Sequence, residues 1–586
     1  MQPNKPINLS RLYNPGQVKG GIMAKPKFTM LWRDPIQPET RGYSGVNPRT
    51  EKAERMIIEY DIAVTMRDGN KLYVDVYRPD ADNYRFNKEE KYPVLLAWTP
   101  YGKHNFIKNG AMVNCGLDEK DFNKYTTFEG PDAVYWCQNG YIVIVADPRG
   151  MWGSDGDAAP MSPQETEDCY DLIEWAGVQS WSNGKVGMHG VSYLAWTQWK
   201  VAAAHPPHLA AINPWEGVSD FYRELAFHGG IPETNFFPLF QFAVSFSKSR
   251  VENLIEMAKQ HPLYDDYWAS KNADLSKITV PALVVASWTD HGLHNRGTLE
   301  GFKQIASKDK WLIVHGRKKW WHFYQKENIE KQRQFFDRFL KGMDNRVKDW
   351  PKITLEIREK YYVGNTRTER EWPLSRTQYT KLFLNAKNGK LIKSPMKKEE
   401  ANVRYNVDSR DKIQNARFEI TIDEVTELTG HMKLKLWVQA EGSDDMDLFV
   451  AIEKIDRAGY IVPFAFFGNH DDGPVGLGWL RVSHRELDEE KSTPYQPVHK
   501  HRREIKLKPG EIVPVEIEIW PSSTLFRRDE KLRLLVQGSD IYSYPEGGHM
   551  DSHTDTVNNG EHIIYTGGKF DSHLLVPIIK EGDHDD

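Results

Sequence analysis

Gly190, Val191, Ser192 and Tyr193 end a short apolar approach, Lys185-Val186-Gly187-Met188, and helix-forming residues follow at once: Leu194, Ala195, Trp196, Gln198 and Lys200. That order reads as a nucleophile elbow, a strand turning sharply into a helix with a serine held at the strained corner. Gly190 gives the corner a neighbour without a side chain. The Tyr193 amide then points the same way as Ser192 Oγ and can donate to an oxyanion. The chemistry such a corner performs is acyl transfer to a serine hydroxyl. The usual G-x-S-x-G pattern breaks at Leu194, and the small residue comes one place later, at Ala195. An ordinary strand–turn–helix junction with an inert serine is the competing reading.

A serine elbow needs a base, an acid that orients it and a second oxyanion donor. In this chain order the acid follows the serine and the base follows the acid. The run Ala282–Ser287 leads to Trp288-Thr289-Asp290, and the run Trp311–Val314 leads to His315-Gly316-Arg317-Lys318-Lys319-Trp320-Trp321-His322. Asp290 is the expected acid. His322 is the favoured base and His315 the next candidate; His291 and His294 also lie at strand ends. For three of these four histidines a hydrogen-bonded structural role must hold. Tyr101, in Trp98-Thr99-Pro100-Tyr101-Gly102-Lys103 just past an early strand, is the expected second oxyanion donor, against a packing tyrosine in a turn.

The elements that position these residues follow from patterning. Strand-like runs are Met56–Val64, Leu72–Tyr77, Val94–Trp98, Tyr141–Ala146, Lys185–Met188, Ala282–Ser287 and Trp311–Val314, with helical periods between them at Glu165–Gly177 and Arg296–Ile305. Continuous apolar strands alternating with helices predict a sheet covered on both faces, an α/β fold whose ligands bind beyond the carboxyl ends of the strands. Residues 1–55 read as an N-terminal arm that packs on something else; 56–215 and 276–345 as the two parts of an α/β-hydrolase core; 216–275 as an aromatic-rich helical cap. From Ile353 the pattern changes to short alternating strands, and residues 350–580 are expected to form an all-β sandwich of the jelly-roll kind.

Bulk properties narrow the function. The 586 residues exceed one core, and net charge −5 gives no general pull toward nucleic acid or an anionic membrane. Three cysteines, Cys115, Cys137 and Cys169, have no metal-type spacing and fit a reducing compartment. No stretch reaches the length of a membrane span, and the expected location is cytoplasmic. There is no P-loop or dinucleotide fingerprint, so no cofactor is expected. His549, His553, Asp551 and Asp555, and separately Asp444, Asp445 and Asp447, have metal-like composition, but the first set reads as a solvated turn and the second fits no complete calcium loop.

Several stretches together make a resemblance: Asp75-Val76-Tyr77-Arg78-Pro79, Thr99-Pro100-Tyr101-Gly102-Lys103, Asp147-Pro148-Arg149-Gly150, Trp181-Ser182-Asn183-Gly184-Lys185-Val186-Gly187, Gly190-Val191-Ser192-Tyr193 and Phe335-Phe336-Asp337-Arg338-Phe339-Leu340. The chain resembles the CocE/NonD group of α/β-hydrolases, which includes cocaine esterase, α-amino-acid ester hydrolases, glutaryl acylases and bacterial Xaa-Pro dipeptidyl-peptidases. The resemblance runs from about residue 56 through the jelly roll. It implies Ser192 as nucleophile, Tyr101 and the Tyr193 amide as oxyanion donors, and Asp290 as acid. The family's base sits in G-P-W-x-H; here Arg317-Lys318-Lys319 separates Gly316 from Trp320-Trp321-His322, and a longer His291-Gly292-Leu293-His294-Asn295-Arg296-Gly297 path follows the acid.

The expected activity is hydrolysis of an ester or amide of a small acyl compound, in a pocket walled by Trp196, Trp215, Trp288 and cap aromatics. Glu216 and Asp220 would meet a substrate α-amine if the chain were a dipeptidyl-peptidase-type enzyme, against a solvated pair at the start of the cap. A catalytically impaired carbohydrate- or ligand-binding protein is the reading from another class, because jelly rolls also bind sugars. The expected partner is a small ester, amide or short peptide, without nucleic acid or membrane, and a homo-oligomer with a swapped arm is compatible with the sequence.

Overall fold

The computed structural model describes residues 28–80, 82, 90–107, 113–408, 413–543 and 552–580. Eight strands form the main sheet of the first domain: β1 (Met56–Thr65), β2 (Lys71–Pro79), β3 (Tyr92–Trp98), β4 (Ile142–Ala146), β5 (Ser182–Val191), β6 (Leu209–Trp215), β7 (Ala282–Ser287) and β8 (Lys310–His315). Their spatial order is β1-β2-β4-β3-β5-β6-β7-β8, antiparallel at the first two joins and parallel from β4 onward. β3, β4 and β7 are buried at every position. Their unbroken apolar runs suit a sheet with helices on both faces.

Parallel neighbours need crossovers, and helices supply them. These are α1 (Ala133–Gln138), α2 (Pro163–Gly177) and α3 (Tyr193–Ala202). Ser162 caps α2 by accepting the Glu165 N–H, with Pro163 in the first turn, where its missing N–H costs nothing. The long excursion between β6 and β7 is the cap: a π-helical turn at Tyr222–Ala226, then α4 (Phe236–Ala243), α5 (Leu254–Gln260) and α6 (Asp266–Lys271). α7 (Asn295–Gln304) joins β7 to β8, and α8 (Lys319–Tyr324) and α9 (Lys326–Leu340) follow β8.

The described part of the N-terminal arm runs over the cap and then joins the sheet, where Arg49–Ala53 pairs antiparallel with Met56–Tyr60 of β1. Trp32 and Arg33 pair antiparallel with Glu252 and Val251, and Ile36 exchanges backbone hydrogen bonds with Ser245 and Ser247.

After α9 the chain forms β9 (Ile353–Lys360), which was expected to open the C-terminal domain. It pairs parallel with β8, Leu312 with Ile353 and Val314 with Leu355, and at its far end Arg358 pairs with Thr524 of the all-β domain, so it joins the two sheets. Ile353 and Leu355 are buried there, and that burial sets the register. The all-β domain follows. Its pairings run Thr426–Glu441, Val513–Phe526, Gly476–Arg481, Asp447–Ile455, Lys531–Gln537, Asn415–Thr421, Lys390–Ile392, Gln378–Asn385, His573–Ile579 and back to the first, a barrel-like closure. Alternate residues such as Leu434, Leu436, Val450, Ile452, Ile517, Leu534 and Val536 fill its interior. The two domains meet at Arg358 on β9, buried and donating to Trp288 O of the first domain and to Val475 O and Ser522 Oγ of the second.

Candidate active site

Ser192 sits between β5 and α3 with φ 58° and ψ −120°. A non-glycine residue holds that conformation only where its surroundings enforce it. Here the Ser192 N–H is held by the Trp215 and Glu216 carbonyls at 3.1 and 3.0 Å. Gly190 has φ 145°, and a Cβ on it would stand 2.5 Å from Leu194 Cβ and 2.9 Å from Glu129 O. Leu194, the break in the usual pattern, thus fills the space that Gly190 leaves open.

The Ser192 hydroxyl meets His294. Oγ lies 3.1 Å from His294 Nε2, and His294 Nδ1 lies 2.5 Å from Asp290 Oδ2. Both side chains are fully buried. Asp290 and His294 come from one turn after β7, at i and i+4, and not from the ends of successive strands. Lys319, the first residue of α8, reaches into the same group: its Nζ lies 3.1 Å from Asp290 Oδ2 and 3.2 Å from His294 Nδ1. Burial alone would push the Asp290 carboxyl up, but the Lys319 ammonium and the His294 ring hold it well below the usual carboxylate range. Burial lowers His294 and Lys319 lowers it further, against the opposing pull of Asp290, so the ring rests neutral. That is the state a general base needs.

Tyr101 lines the cavity over Ser192 together with Glu129, and Glu129, Ser192 and the Tyr193 backbone all bear on the charge of its phenol. Burial first, and then the Glu129 charge, push the phenol well above its ordinary value. The phenol therefore keeps its proton. The Tyr101 loop is braced from behind: the Lys103 N–H and Nζ donate to Asp147 at 2.8 and 2.9 Å, and Nζ also pairs with Asp61 at 2.8 Å. Asp61, Asp75 and His104 are close enough to hold a metal ion. Lys103 supplies the positive charge there, and His104 pairs with Asp75 at 2.7 Å. The Tyr193 phenol turns away beneath the elbow to Glu165, at 2.7 and 2.9 Å from its two oxygens, which leaves the backbone N–H as this residue's group at the site.

A cavity of about 500 Å³ opens over Ser192. Tyr101, Glu129 and Lys319 line its floor; Phe236, Leu239, Phe240, Phe242 and Phe246 of the cap region, with Trp152, line its walls; Arg41 to Ser44 of the arm line its rim.

The structure does not bring the favoured bases to the serine. α8 turns Lys319 and Trp320 to the site and folds His322 back against His315, ring centroids 3.8 Å apart. Asn328 holds His322, and His315 pairs with Glu216 at 3.0 Å. Burial, with His315 and Arg317 nearby, takes His322 well below its ordinary value. None of the three expected tryptophans lines the cavity. Trp196 packs under the elbow against Phe221 and Phe240, Trp215 packs on Phe323 and His322, and Trp288 is buried with its indole N–H on Glu356 O. Each is buried. Glu216 is buried against His315 and Ser287, and Asp220 pairs with Arg223 at 2.6 Å. His553 is buried against His228 and Asp540, while His549 and Asp551 lie outside the described residues. Asp445 holds Lys506, and Asp447 holds Arg481.

Comparison with known proteins now decides the family. The model of the X-Pro dipeptidyl-peptidase (S15 family) matches residues 68–252 and 246–324, and that of the X-Pro dipeptidyl-peptidase C-terminal non-catalytic domain matches 345–575. A solved CocE/NonD family hydrolase from Staphylococcus aureus is 44% identical, with a TM-score of 0.86 over 95% of this chain and 99% of its own. The chain belongs to the CocE/NonD hydrolases. Cocaine esterase from Rhodococcus is 24% identical over 89% of this chain and 98% of its own length. A solved α-amino acid ester hydrolase, 17% identical with a TM-score of 0.69, shares the fold.

Against that family, the altered base loop acquires a physical meaning. Where the CocE/NonD pattern read from the sequence puts W-x-H, this hydrolase starts α8 and sends a lysine to the acid. The histidine within reach of the serine stands four residues after Asp290. Sequence reasoning named His294 among the strand-end histidines without favouring it. The usable signal was the Asp290-x-x-x-His294 spacing ahead of α7, which stacks the two side chains on one face of a helical turn. Glu129 carried no motif and was missed.

Proposed function

We propose that this CocE/NonD hydrolase cleaves esters or amides of small, largely apolar acyl groups through an acyl-enzyme, with Ser192 as nucleophile, His294 as base and Asp290 as acid. The relay of 3.1 Å from Ser192 to His294 and 2.5 Å from His294 to Asp290 carries this reading. His294 Nε2 takes the Ser192 proton as Oγ attacks the carbonyl carbon. The oxyanion that forms is met by the Tyr193 N–H and the Tyr101 O–H. His294 returns the proton to the departing alkoxide or amine, and a water repeats the sequence to release the acid. Asp290 holds the tautomer with the proton on Nδ1 and stabilises the imidazolium.

The aromatic cap wall supports an apolar acyl group. The amine-binding reading loses the carboxylates on which it rested, since Glu216 and Asp220 are satisfied away from the cavity. The test is intact-protein mass after fluorophosphonate treatment. One adduct on the native protein, absent from Ser192→Ala and strongly slowed in His294→Ala, is expected. An adduct that persists in Ser192→Ala would overturn the assignment. Turnover of apolar p-nitrophenyl esters against aminoacyl p-nitroanilides then separates the esterase from the aminopeptidase reading.

A further inference from the structure

Glu129 stands at the oxyanion side of the site without a part in the triad. It lies on the loop ahead of α1, 2% exposed, at φ 58°. Its carbonyl accepts the Val191 N–H at 2.9 Å, which ties this loop to the strand that delivers Ser192. Its Oε1 accepts the Trp320 indole N–H at 2.9 Å. Oε2 is buried without a well-aligned hydrogen bond of its own, so it is the oxygen with room for a proton. The carboxyl lines the same cavity as Ser192 and Tyr101, close enough to the phenol for each to bear on the other's charge.

The phenol has a single proton to give. An ionised Glu129 draws that proton to itself and sets a negative charge beside the place where the oxyanion develops. A protonated Glu129 can donate to the phenol oxygen, and the phenol proton is then free to turn toward the oxyanion. We propose that Glu129 is a positioning residue of the oxyanion hole, directing the Tyr101 proton to the substrate when it carries a proton of its own and withdrawing it when ionised. The step makes and breaks no covalent bond; only the direction of two O–H groups changes. It rests on the triad reading above.

The groups facing Glu129 are Lys319, Trp320 and Tyr324 of α8, Asp290 from the turn after β7, and Tyr101 from the loop after β3. Burial pushes its carboxyl up, with help from Asp290, while Lys319 and the hydrogen bonds from Trp320 and Tyr101 pull it down; the balance is about 7. Small changes of pH near neutrality therefore change its state.

The experiment is the pH profile of kcat/KM for an uncharged ester in the native protein, Glu129→Gln and Tyr101→Phe. The native profile is expected to fall about tenfold per pH unit on its alkaline side, with a midpoint near 7. Gln keeps an acceptor for Trp320 and a donor for Tyr101 at every pH, so E129Q loses that limb and exceeds the native protein at alkaline pH by about tenfold or more. Y101F, which has no phenol proton to direct, shows a limb of less than about threefold. An alkaline limb that survives in E129Q overturns the proposal. Infrared difference spectra between native and E129Q protein read the carboxyl proton without turnover: a protonated-carboxyl band that disappears through neutral pH is expected, and its absence overturns the proposal. A titrating band in a protein that neither hydrolyses esters nor labels at Ser192 places the failure in the triad reading, and the link to the oxyanion hole falls with it.

Discussion

Lys319 Nζ lies 3.1 Å from the same Asp290 oxygen that holds His294. An ammonium at this point works against the imidazolium that forms during turnover, because both are cations sharing one carboxylate. It also faces Glu129 and helps to keep that carboxyl from rising further. Replacing Lys319 with Gln removes one charge from both groups. His294 then gains protons more readily, and so does Glu129. Activity needs His294 neutral and is lost as pH falls through its pKa, so the acid limb of kcat/KM should move to higher pH, by about one unit, or about 1.4 kcal/mol. The alkaline limb should move the same way if Glu129 sets it. A pH profile of Lys319→Gln that shifts on neither side would mean the lysine is electrostatically silent.

The choice of base has its own kinetic signature. Removing the group that takes the Ser192 proton typically costs on the order of 10⁴–10⁶ in kcat, because the members of a triad act as a unit. His294→Ala should fall in that range, and Ser192→Ala with it. His322→Ala and His315→Ala touch two rings packed on each other, neither of which contacts Ser192, and should lose less than about tenfold. The reverse ranking, measured on one ester at one pH, would restore the W-x-H histidine as the base.

Much of this was legible in the residues. The strand-to-helix turn at Ser192, the place of Asp290 after β7, the Tyr101 loop and the change to short strands after α9 all rest on local patterns that the fold leaves intact. β6 was not foreseen, because Leu209-Ala-Ala-Ile-Asn-Pro-Trp215 has few β-branched residues and a proline. Tertiary contacts overrode propensity there: Asn213 Nδ2 donates to Leu283 O on β7. His294 was not favoured because strand ends bring four histidines within sequence reach of the serine, and only packing decides which of them lies beside it. α8 sends Lys319 to Asp290 and packs His322 on His315 and Trp215, a choice between inward-facing side chains that no spacing rule contains. Arg358 was silent for a similar reason, since its partners come from three separate segments.

Tyr101 should matter for turnover more than for binding. In the proposed mechanism its phenol meets the oxyanion only as charge develops on the carbonyl oxygen, so Tyr101→Phe is expected to lower kcat by about 10²–10³ with little change in KM. The Tyr193 N–H remains and accounts for the residual rate. A Tyr101→Phe protein that raised KM and kept kcat would show the phenol contacting the ground state instead.

Histidines buried between the domains should make the protein acid-sensitive. His291, His431 and His499 are held by burial at about 3, and His484 at about 4. Each stays neutral in the folded protein while its unfolded counterpart takes up a proton below about 6.5. The unfolded state then binds more protons, so stability falls as pH falls, by about 1.4 kcal/mol for each such histidine at one unit below that value. His431 offers the clearest test. Neither of its ring nitrogens has a hydrogen-bond partner in the protein, and Trp372 and Tyr495 flank its ring at 6.1 and 5.9 Å. A phenylalanine fits that aromatic nest and cannot protonate. His431→Phe should lose about one proton from the acid-side slope of unfolding free energy against pH and raise Tm below neutral pH. An unchanged slope would mean that His431 is already protonated in the folded protein, or meets water there.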